Sequence, residues 1–580
     1  MPVRVISTVS SSDLATHKIL VEGEELSRSY HVMNVAVEKE VNRIPTAKIV
    51  LLDGDPAAKD FELSNQDLFV PGKEIEIKAG YHSEEDTVFK GIVIKHSLKI
   101  RASQSFLIVE CKDKAVKLTI GRKSKYFYES KDSEVLEEII DSYGLGKDVE
   151  STNVTHKELV QYNVSDWDFL VTRAQANGKI CVVDDGKITI KKPDTRQEPV
   201  ETVAFGATLL DFDAEIDARN QFKKVTSYGW NASDQEFLEV EAENPGVELN
   251  GNLTPDDLAQ VVGLENLELK SGGGNSSSLQ DWADSKALFN QLSKIRGRVK
   301  FQGIPAVKPN TLLKLEGVGE RFSGKVFVSA VRHQITEGNW TVDAQFGINP
   351  KWFSETFEIN DLPAAGLAAA VNGLQIGIVT QLENDPDGED RILVRLPVVN
   401  SEGEGTWARI ATLDAGENRG SFFRPEIEDE VIVGFINDNP NDAVVLGMMN
   451  SSAKPAPLTA ADDNHEKGFI TRSEMKFIFN DDEVSVTVET PNGNKLIISD
   501  EDGGIKLEDE NGNFIQMDSS GIKIESASEI SYKSSTGMKA ESGTNMELKA
   551  GAQFKAEGSS GAEVSTSAIA VVKGSMVQIN

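Results

Sequence analysis

Cysteine is nearly absent from this chain. Its 580 residues hold only Cys111 and Cys181, far apart and without a C-x-x-C pair, which leaves no basis for a disulfide framework or a zinc ribbon. Histidine is scarce too. The seven residues at 17, 31, 82, 96, 156, 333 and 465 form no H-E-x-x-H and no close pair, so metal-ligand spacing is missing. No G-x-x-x-x-G-K-[ST], G-x-G-x-x-G or G-x-S-x-G stands in a sound context, and nucleotide binding and hydrolase elbows lack their framework. No apolar run is long enough to span a membrane, and the opening MPVRVISTVSSSDLATHKIL has no apolar core of signal-peptide length. Cations are in deficit, with 60 Lys and Arg against 93 Asp and Glu, a net charge of −33. Such a surface repels nucleic acid and anionic membranes, and it keeps a large β-rich assembly soluble.

Carboxylates are so abundant that no acid/base pair stands out. Asp385-Pro386-Asp387-Gly388 has the flavour of a calcium loop, but the ligand order and the distal Glu fail. It reads as a hairpin turn before the strand at Arg391. The expectation is a protein with no catalytic residues, no cofactor and no metal, synthesised in the cytoplasm without a signal peptide.

What the chain does have is a repeat. From Gly521 to Asn580, apolar doublets recur every eight residues: Ile522/Ile524, Ile530/Tyr532, Met538/Ala540, Met546/Leu548, Phe554/Ala556, Ala562/Val564 and Ala570/Val572. Members of a doublet sit two apart, so an extended strand turns both to one side. The intervening Gly, Ser, Thr, Lys and Glu suit turns and solvent. One such ribbon has a single thin apolar edge and cannot offset its own ordering entropy. Three copies wound about an axis would turn those edges into a continuous core and pair the open strand edges. The following column, Glu525, Lys533, Glu541, Lys549, Glu557, Ser565 and Lys573, mostly alternates in sign, which would set opposite charges side by side on neighbouring strands. The period predicts an intertwined trimeric β-helix with a core of Ile522, Ile524, Ile530, Tyr532, Met538, Met546, Leu548, Phe554, Val564 and Val572.

The rest of the chain reads as mainly β. Alternating runs at Ile19–Val21, Val32–Val37, Ala47–Leu52, Ile75–Ala79, Val88–Ile94 and Phe106–Cys111 are separated by turns such as Asp53-Gly54 and Pro71-Gly72. Ser133 is placed as the N-cap of a short helix carrying Val135, Leu136, Ile139 and Ile140, and Ser165-Asp166-Trp167-Asp168 as a capping box opening a second helix that Gly178 closes. Strands Ile180–Val183 and Lys187–Ile190 meet through Asp185-Gly186. The polar patch Ser271–Ser278 precedes a predicted helix Leu279–Ile295. Strands Gly297–Gln302, Leu312–Glu316, Lys325–His333 and Trp340–Phe346 then follow. Five strands at Gln375–Gln381, Arg391–Leu396, Thr406–Ile410, Glu430–Asn437 and Ala443–Met448 have the rhythm of a small barrel. OB-folds often bind oligonucleotides through aromatics, but here the surroundings of Trp407, Phe422, Phe423 and Phe435 are acidic, and core packing is the better reading.

Several segments carry a family resemblance. They are Gly72-Lys73-Glu74-Ile75 with Val88-Phe89-Lys90-Gly91-Ile92-Val93, and Tyr162-Asn163-Val164-Ser165-Asp166-Trp167-Asp168-Phe169-Leu170 with Arg173, Gly178 and Asp185-Gly186. Arg391–Pro397, Trp407-Ala408-Arg409, Pro425–Phe435 and Asn439-Pro440 with Val445-Leu446-Gly447 add the barrel. Together they resemble the VgrG-like spike proteins of contractile injection systems: type VI secretion, extracellular contractile particles and contractile phage tails. Glu428 stands where that family commonly has Gly, Ala443 where it often has Pro, and Asn310 follows Pro309 where Gly is usual, so local turn geometry departs from the pattern.

The resemblance implies a hub base with tandem β-barrels over 1–360, a linker at 361–372, an OB-fold barrel over 373–450, a linker at 451–468 and a β-helical needle over 469–580. The implied function is a homotrimeric structural spike that pierces an envelope, touching the target membrane only mechanically. The implied partners are a hexameric tube protein and baseplate proteins at the hub, effector cargo, and a PAAR-type tip protein at Met576, Val577, Gln578, Ile579 and Asn580. The spike would be assembled into an injection particle and then be extracellular or delivered into a target cell. The rival readings are a contractile phage baseplate hub and a trimeric fibre or adhesin. The latter calls for exposed aromatics on the octads, where only Tyr532 and Phe554 stand, both at core positions.

Overall fold

The computed structural model describes residues 14–248, 250–336 and 338–579. Two compact units emerge, Met1–Leu374 with Gly434–Ala443, and Gln375–Val433 with Val444–Asn580.

The first unit is built on a thirteen-stranded sheet. Its strands follow from period-two burial: Val35 and Val37 face inward on Val32–Glu40, and Ala47, Ile49 and Leu51 on Thr46–Leu52. Two cores lie along this sheet. One gathers Ile49, Phe69, Phe89 and Trp340, the other Val299, Phe301, Val328 and Phe346. Strand Val32–Glu40 joins the lobes by pairing with Gly324–Thr336, from Val35 opposite Ile335 to Glu40 opposite Ala330. The tandem barrels expected from the sequence are thus two lobes sharing one continuous sheet. A third core packs helices Asp132–Asp141 and Asp166–Ala176 onto the hairpin Ile180–Asp184/Lys187–Lys191.

Helix boundaries confirm the cap at Ser165 and correct one expected cap and one expected span. Ser165 caps Asp166–Ala176, its Oγ accepting from the Asp168 N–H at 3.1 Å, and Gly178 turns out of the helix with φ 67°. Ser133 is not a cap. The helix starts at Asp132 after Lys131, whose N–H donates to Glu134 at 2.8 Å, while the Ser133 N–H is satisfied by Thr152 Oγ1 at 3.1 Å. The helix expected at Leu279–Ile295 runs Ser276–Leu292, because Asn275 Oδ1 accepts from the Ser278 N–H at 2.8 Å, and Ile295 opens a strand instead. Helix Pro255–Val262, capped by Thr254, was not anticipated. Asn310 and Glu428 adopt φ 67° and 71°, so the left-handed turns for which glycine is usual persist with other side chains.

In the second unit, Gln375–Gln381, Ile392–Arg395, Thr406–Ile410, Ala443–Met448 and Glu430–Phe435 form a closed five-stranded barrel. Its core is aliphatic, with Val379, Ile392, Val394, Ala408, Val431, Val433 and Val445 sealed from solvent. This corrects the placement of the aromatics. Trp407 and Phe435 are half-buried, whereas Phe422 and Phe423 lie in the loop after the short strand Arg419–Gly420 and are exposed. The barrel interior leaves little spare room: a Cβ on Gly377 would stand 2.4 Å from Val394 Cγ1. At the turn before Ile392, Asp385 accepts from the Arg391 side chain and from the backbone N–H groups of Glu389 and Arg391. The Arg391 guanidinium holds its carboxyl well below the usual range.

The chain then folds into a seven-stranded antiparallel meander: Glu466–Ile470, Lys476–Asn480, Ser485–Glu489, Lys495–Ser499, Gly504–Glu508, Phe514–Asp518 and Gly521–Glu525. Gly493, Gly503 and Gly512 supply positive φ at three of its turns. Among the described residues, none beyond Glu525 belongs to a strand or helix.

Candidate functional site

Each strand of the meander is five residues long, and from Lys476–Asn480 onward positions two and four are apolar, whereas Glu466–Ile470 has Lys467 second and Phe469 fourth. Antiparallel register aligns them into two columns. One runs Phe479, Val486, Ile498, Ile505, Met517, Ile522; the other runs Phe469, Phe477, Val488, Leu496, Leu507, Ile515, Ile524. Alternation places both on one face. The central column of the opposite face is mixed, with Ile478 and Ile497 beside Thr487, Lys506, Gln516 and Lys523.

Much of this apolar face remains exposed. Leu496 is 36% exposed and Leu507 52%. A long row of half-exposed aliphatic and aromatic residues, two abreast, is a surface built to be covered.

The doublet rule therefore starts earlier than the octads. Phe477/Phe479, Val486/Val488, Leu496/Ile498, Ile505/Leu507 and Ile515/Met517 precede Ile522/Ile524 at steps of nine, ten, nine, ten and seven residues. Turns of unequal length hide the pattern from a search for a fixed period. A charge ladder lies here as well: Glu489 sits between Lys476 at 3.5 Å and Lys495 at 3.1 Å, and its carboxyl is held below the usual range by Lys495.

Ile522 and Ile524 are the two predicted core residues that the structure places in this face. Ile530, Tyr532, Met538, Met546, Leu548, Phe554, Val564 and Val572 follow on the segment without strands, each exposed and not brought together. Met576, Val577 and Ile579 are exposed too, and Asn580 lies outside the described residues. The charge column behaves differently from the expectation. Glu525 and Glu541 pair two residues back with Lys523 and Lys539, both at 2.6 Å, and Glu557 pairs with Lys555.

The motif residues of the first unit are held in packing and hydrogen-bond networks. Asp166 is buried and accepts from Gln161 at 2.8 Å, Lys123 at 2.6 Å and Tyr143 at 2.6 Å, while Trp167 fills the third core. Arg173 grips buried Asp132 through two bonds of 2.6 and 2.9 Å, and His156 and Asn177 complete the shell at 2.8 and 3.1 Å. Burial alone would raise the Asp132 carboxyl, but these partners outweigh it and hold it below the usual range. The network ties both helices to strand Thr155–Val164 across separations no local motif could reveal. Both cysteines are buried, and burial pushes the Cys111 thiol up to about 12, which leaves it inert as a nucleophile.

Two family models match the C-terminal part of the chain. Residues 375–449 match the type VI secretion system/phage-baseplate injector OB domain, and residues 485–580 the phage baseplate V C-terminal trimerisation domain. Among solved structures, a tail protein from Neisseria meningitidis MC58 is 14% identical, with a TM-score of 0.43, covering 58% of this chain and 98% of its own. The E. coli c3393 protein, a type VI secretion component, is 12% identical, with a TM-score of 0.36 and coverages of 74% and 100%. The Francisella PdpA-VgrG complex in its half-lidded form is 9% identical, with a TM-score of 0.38 and coverages of 90% and 89%. No curated protein matches the chain. The two C-terminal matches bear out the resemblance to VgrG-like spike and baseplate proteins of type VI secretion and phage tails, and over residues 11–337 of its 580 the chain belongs to the family described as the Alg8 N-terminal domain.

Proposed function

We propose that three copies of this chain form the spike at the head of a contractile injection tube. The observation that carries this reading is the bare, two-column apolar face, which lies largely in the segment matched as a trimerisation domain. Three such sheets facing a common axis would cover one another. The octads beyond, from Ile530 to Val572, would continue that core between chains, where strand edges left open in one copy find partners in the next.

The task is mechanical. Sheath contraction, supplied by partners, drives the tube and this rod through a target envelope, and interchain backbone hydrogen bonds resist axial load. The base, about residues 1–360, seats on the hexameric tube and baseplate. Met576 to Asn580 take a PAAR-type tip protein. The chain is made in the cytoplasm and leaves it only as part of the particle, with any cargo. No step requires catalysis.

The test is the solution mass of the full chain by light scattering, beside a Leu496→Asp/Leu507→Asp variant. A threefold mass that the variant loses supports the reading. A monomeric wild-type chain overturns it.

A further inference from the structure

In the first unit, strands Lys123–Lys131 and Thr155–Val164 form a two-stranded ribbon. Alternation sends their side chains to two faces. Phe127 turns inward against Phe169 of helix Asp166–Ala176, with ring centroids 6.1 Å apart and planes at 14°. Tyr126 and Tyr128 turn outward, 60% and 63% exposed, their rings 6.2 Å apart with planes at 19°. Val160 stands opposite Tyr126, and Tyr162, the most exposed of the three tyrosines, continues the row.

The row leads into a cleft of about 540 Å³, the size of a small-molecule site. Val160 and Tyr162 of the ribbon, Phe169 and Thr172 of the helix, and loop residues from 359–363 and 437–438 line it. The cleft is braced. Arg122 donates to the carbonyls of Asn163, Ile359 and Asn360 at 2.7, 3.0 and 2.9 Å, tying the loop to the ribbon. Asn163 also donates to Asp361. Asn437 and Asp438 hold φ of 51° and 57°, a backbone state that collects at ligand clamps.

Within this rigid shell, hydrogen-bonding capacity is unused. The Thr172 hydroxyl is buried without a partner among the described residues. The side chains of Asn360, Asn437 and Asp438 make no hydrogen bond or ion pair among those residues either. Flat exposed rings beside amides, carboxylates and a hydroxyl suit a ligand with apolar C–H faces and many hydroxyl groups. Nucleobases would stack on the same rings, but Asp361 and Asp438 repel the phosphates that come with them. We infer that the tyrosine row and its cleft bind a neutral oligosaccharide, its rings stacked on the tyrosines and its hydroxyls held in the cleft. The site lies within the first unit and stands apart from the trimeric reading, adding recognition to a mechanical part.

The experiment titrates the full-length chain with chitohexaose, cellohexaose and maltohexaose, neutral chains that differ in linkage and substituents, by calorimetry and saturation-transfer NMR. The expected result is saturable binding of at least one of them, weakened about tenfold or more by Tyr126→Ala/Tyr162→Ala. Tyr162→Phe keeps the ring and should retain most of the affinity. Phe237→Ala, which removes an aromatic 73% exposed elsewhere in the unit, should leave binding unchanged. No binding of any of these sugars overturns the proposal, and so does binding that Phe237→Ala weakens as much as the tyrosine variant. Capture of a cationic proline-rich peptide by the tyrosines, with no sugar bound, overturns it as well. A threefold mass without sugar binding removes this site alone and leaves the trimer standing.

Discussion

Truncating Leu507 to alanine isolates what the trimer adds to a single chain. Full burial of a leucine side chain contributes about 2–3 kcal/mol. In one chain 52% of Leu507 remains exposed, so roughly half of that, about 1–1.5 kcal/mol, becomes available only when copies cover it. Three copies lose it together, so the Leu507→Ala trimer is weaker by about 3–4.5 kcal/mol, or about a hundredfold to a thousandfold in its association constant. Sedimentation or light scattering across a dilution series reads that shift directly. Lys506→Ala is the control, since it lies one residue away on the opposite face and near Glu508 at 2.8 Å. An exposed pair of this kind contributes little. If Leu507→Ala dissociates at the same concentration as Lys506→Ala, the apolar face is not the trimer contact.

Two further outcomes follow from single residues. Glu428 holds φ 71°, a backbone state that costs a non-glycine residue about 1–2 kcal/mol, so Glu428→Gly should raise the barrel's stability by about 1 kcal/mol. A lower denaturation midpoint would show that the Glu428 side chain matters more than its backbone. His333 is buried, and burial, with Lys39 and Lys308 nearby, pushes its pKa down to about 3 from 6.5. The unfolded chain therefore binds a proton that the folded chain refuses between those values. This contribution to stability is complete above pH 6.5 and is lost as pH falls toward 3, by about 1.4 kcal/mol per unit. Thermal melts of wild type and His333→Gln should converge as pH drops through that window, and parallel curves would refute the assignment.

The sequence disclosed features whose signal is local or strictly periodic. The octads stand out because seven doublets keep one spacing, and the barrel strands because alternation is written into each. Ser165 could be read as a cap because its partner Asp168 is three residues away. Interactions that span the chain stayed hidden. The grip of Arg173 on Asp132 spans 41 residues, and the Phe423 and Phe469 rings come from different elements. Unequal turns break the period of the meander's doublets, and hydrogen bonding restores their alignment. Aromatic character suggests burial for Phe422 and Phe423, yet they sit exposed on a loop outside the alternating strands. The octad residues from Ile530 to Val572 lie exposed in the single chain.

The meander has one more consequence, in the order of events during synthesis. Its strands pair only with their sequence neighbours, so its contacts are of the kind that form quickly and early. The octads, which follow the meander in the chain, form no strands among the described residues. A nascent chain can therefore present a finished sheet while its tail is still emerging, and copies that meet through that sheet fix their alignment before the repeats appear. A run of near-identical octads could otherwise slip by eight residues with little penalty. The irregular spacing that conceals the meander's pattern also makes it a poor match to itself in any shifted position, so it can act as the gauge from which the uniform part of the rod is measured.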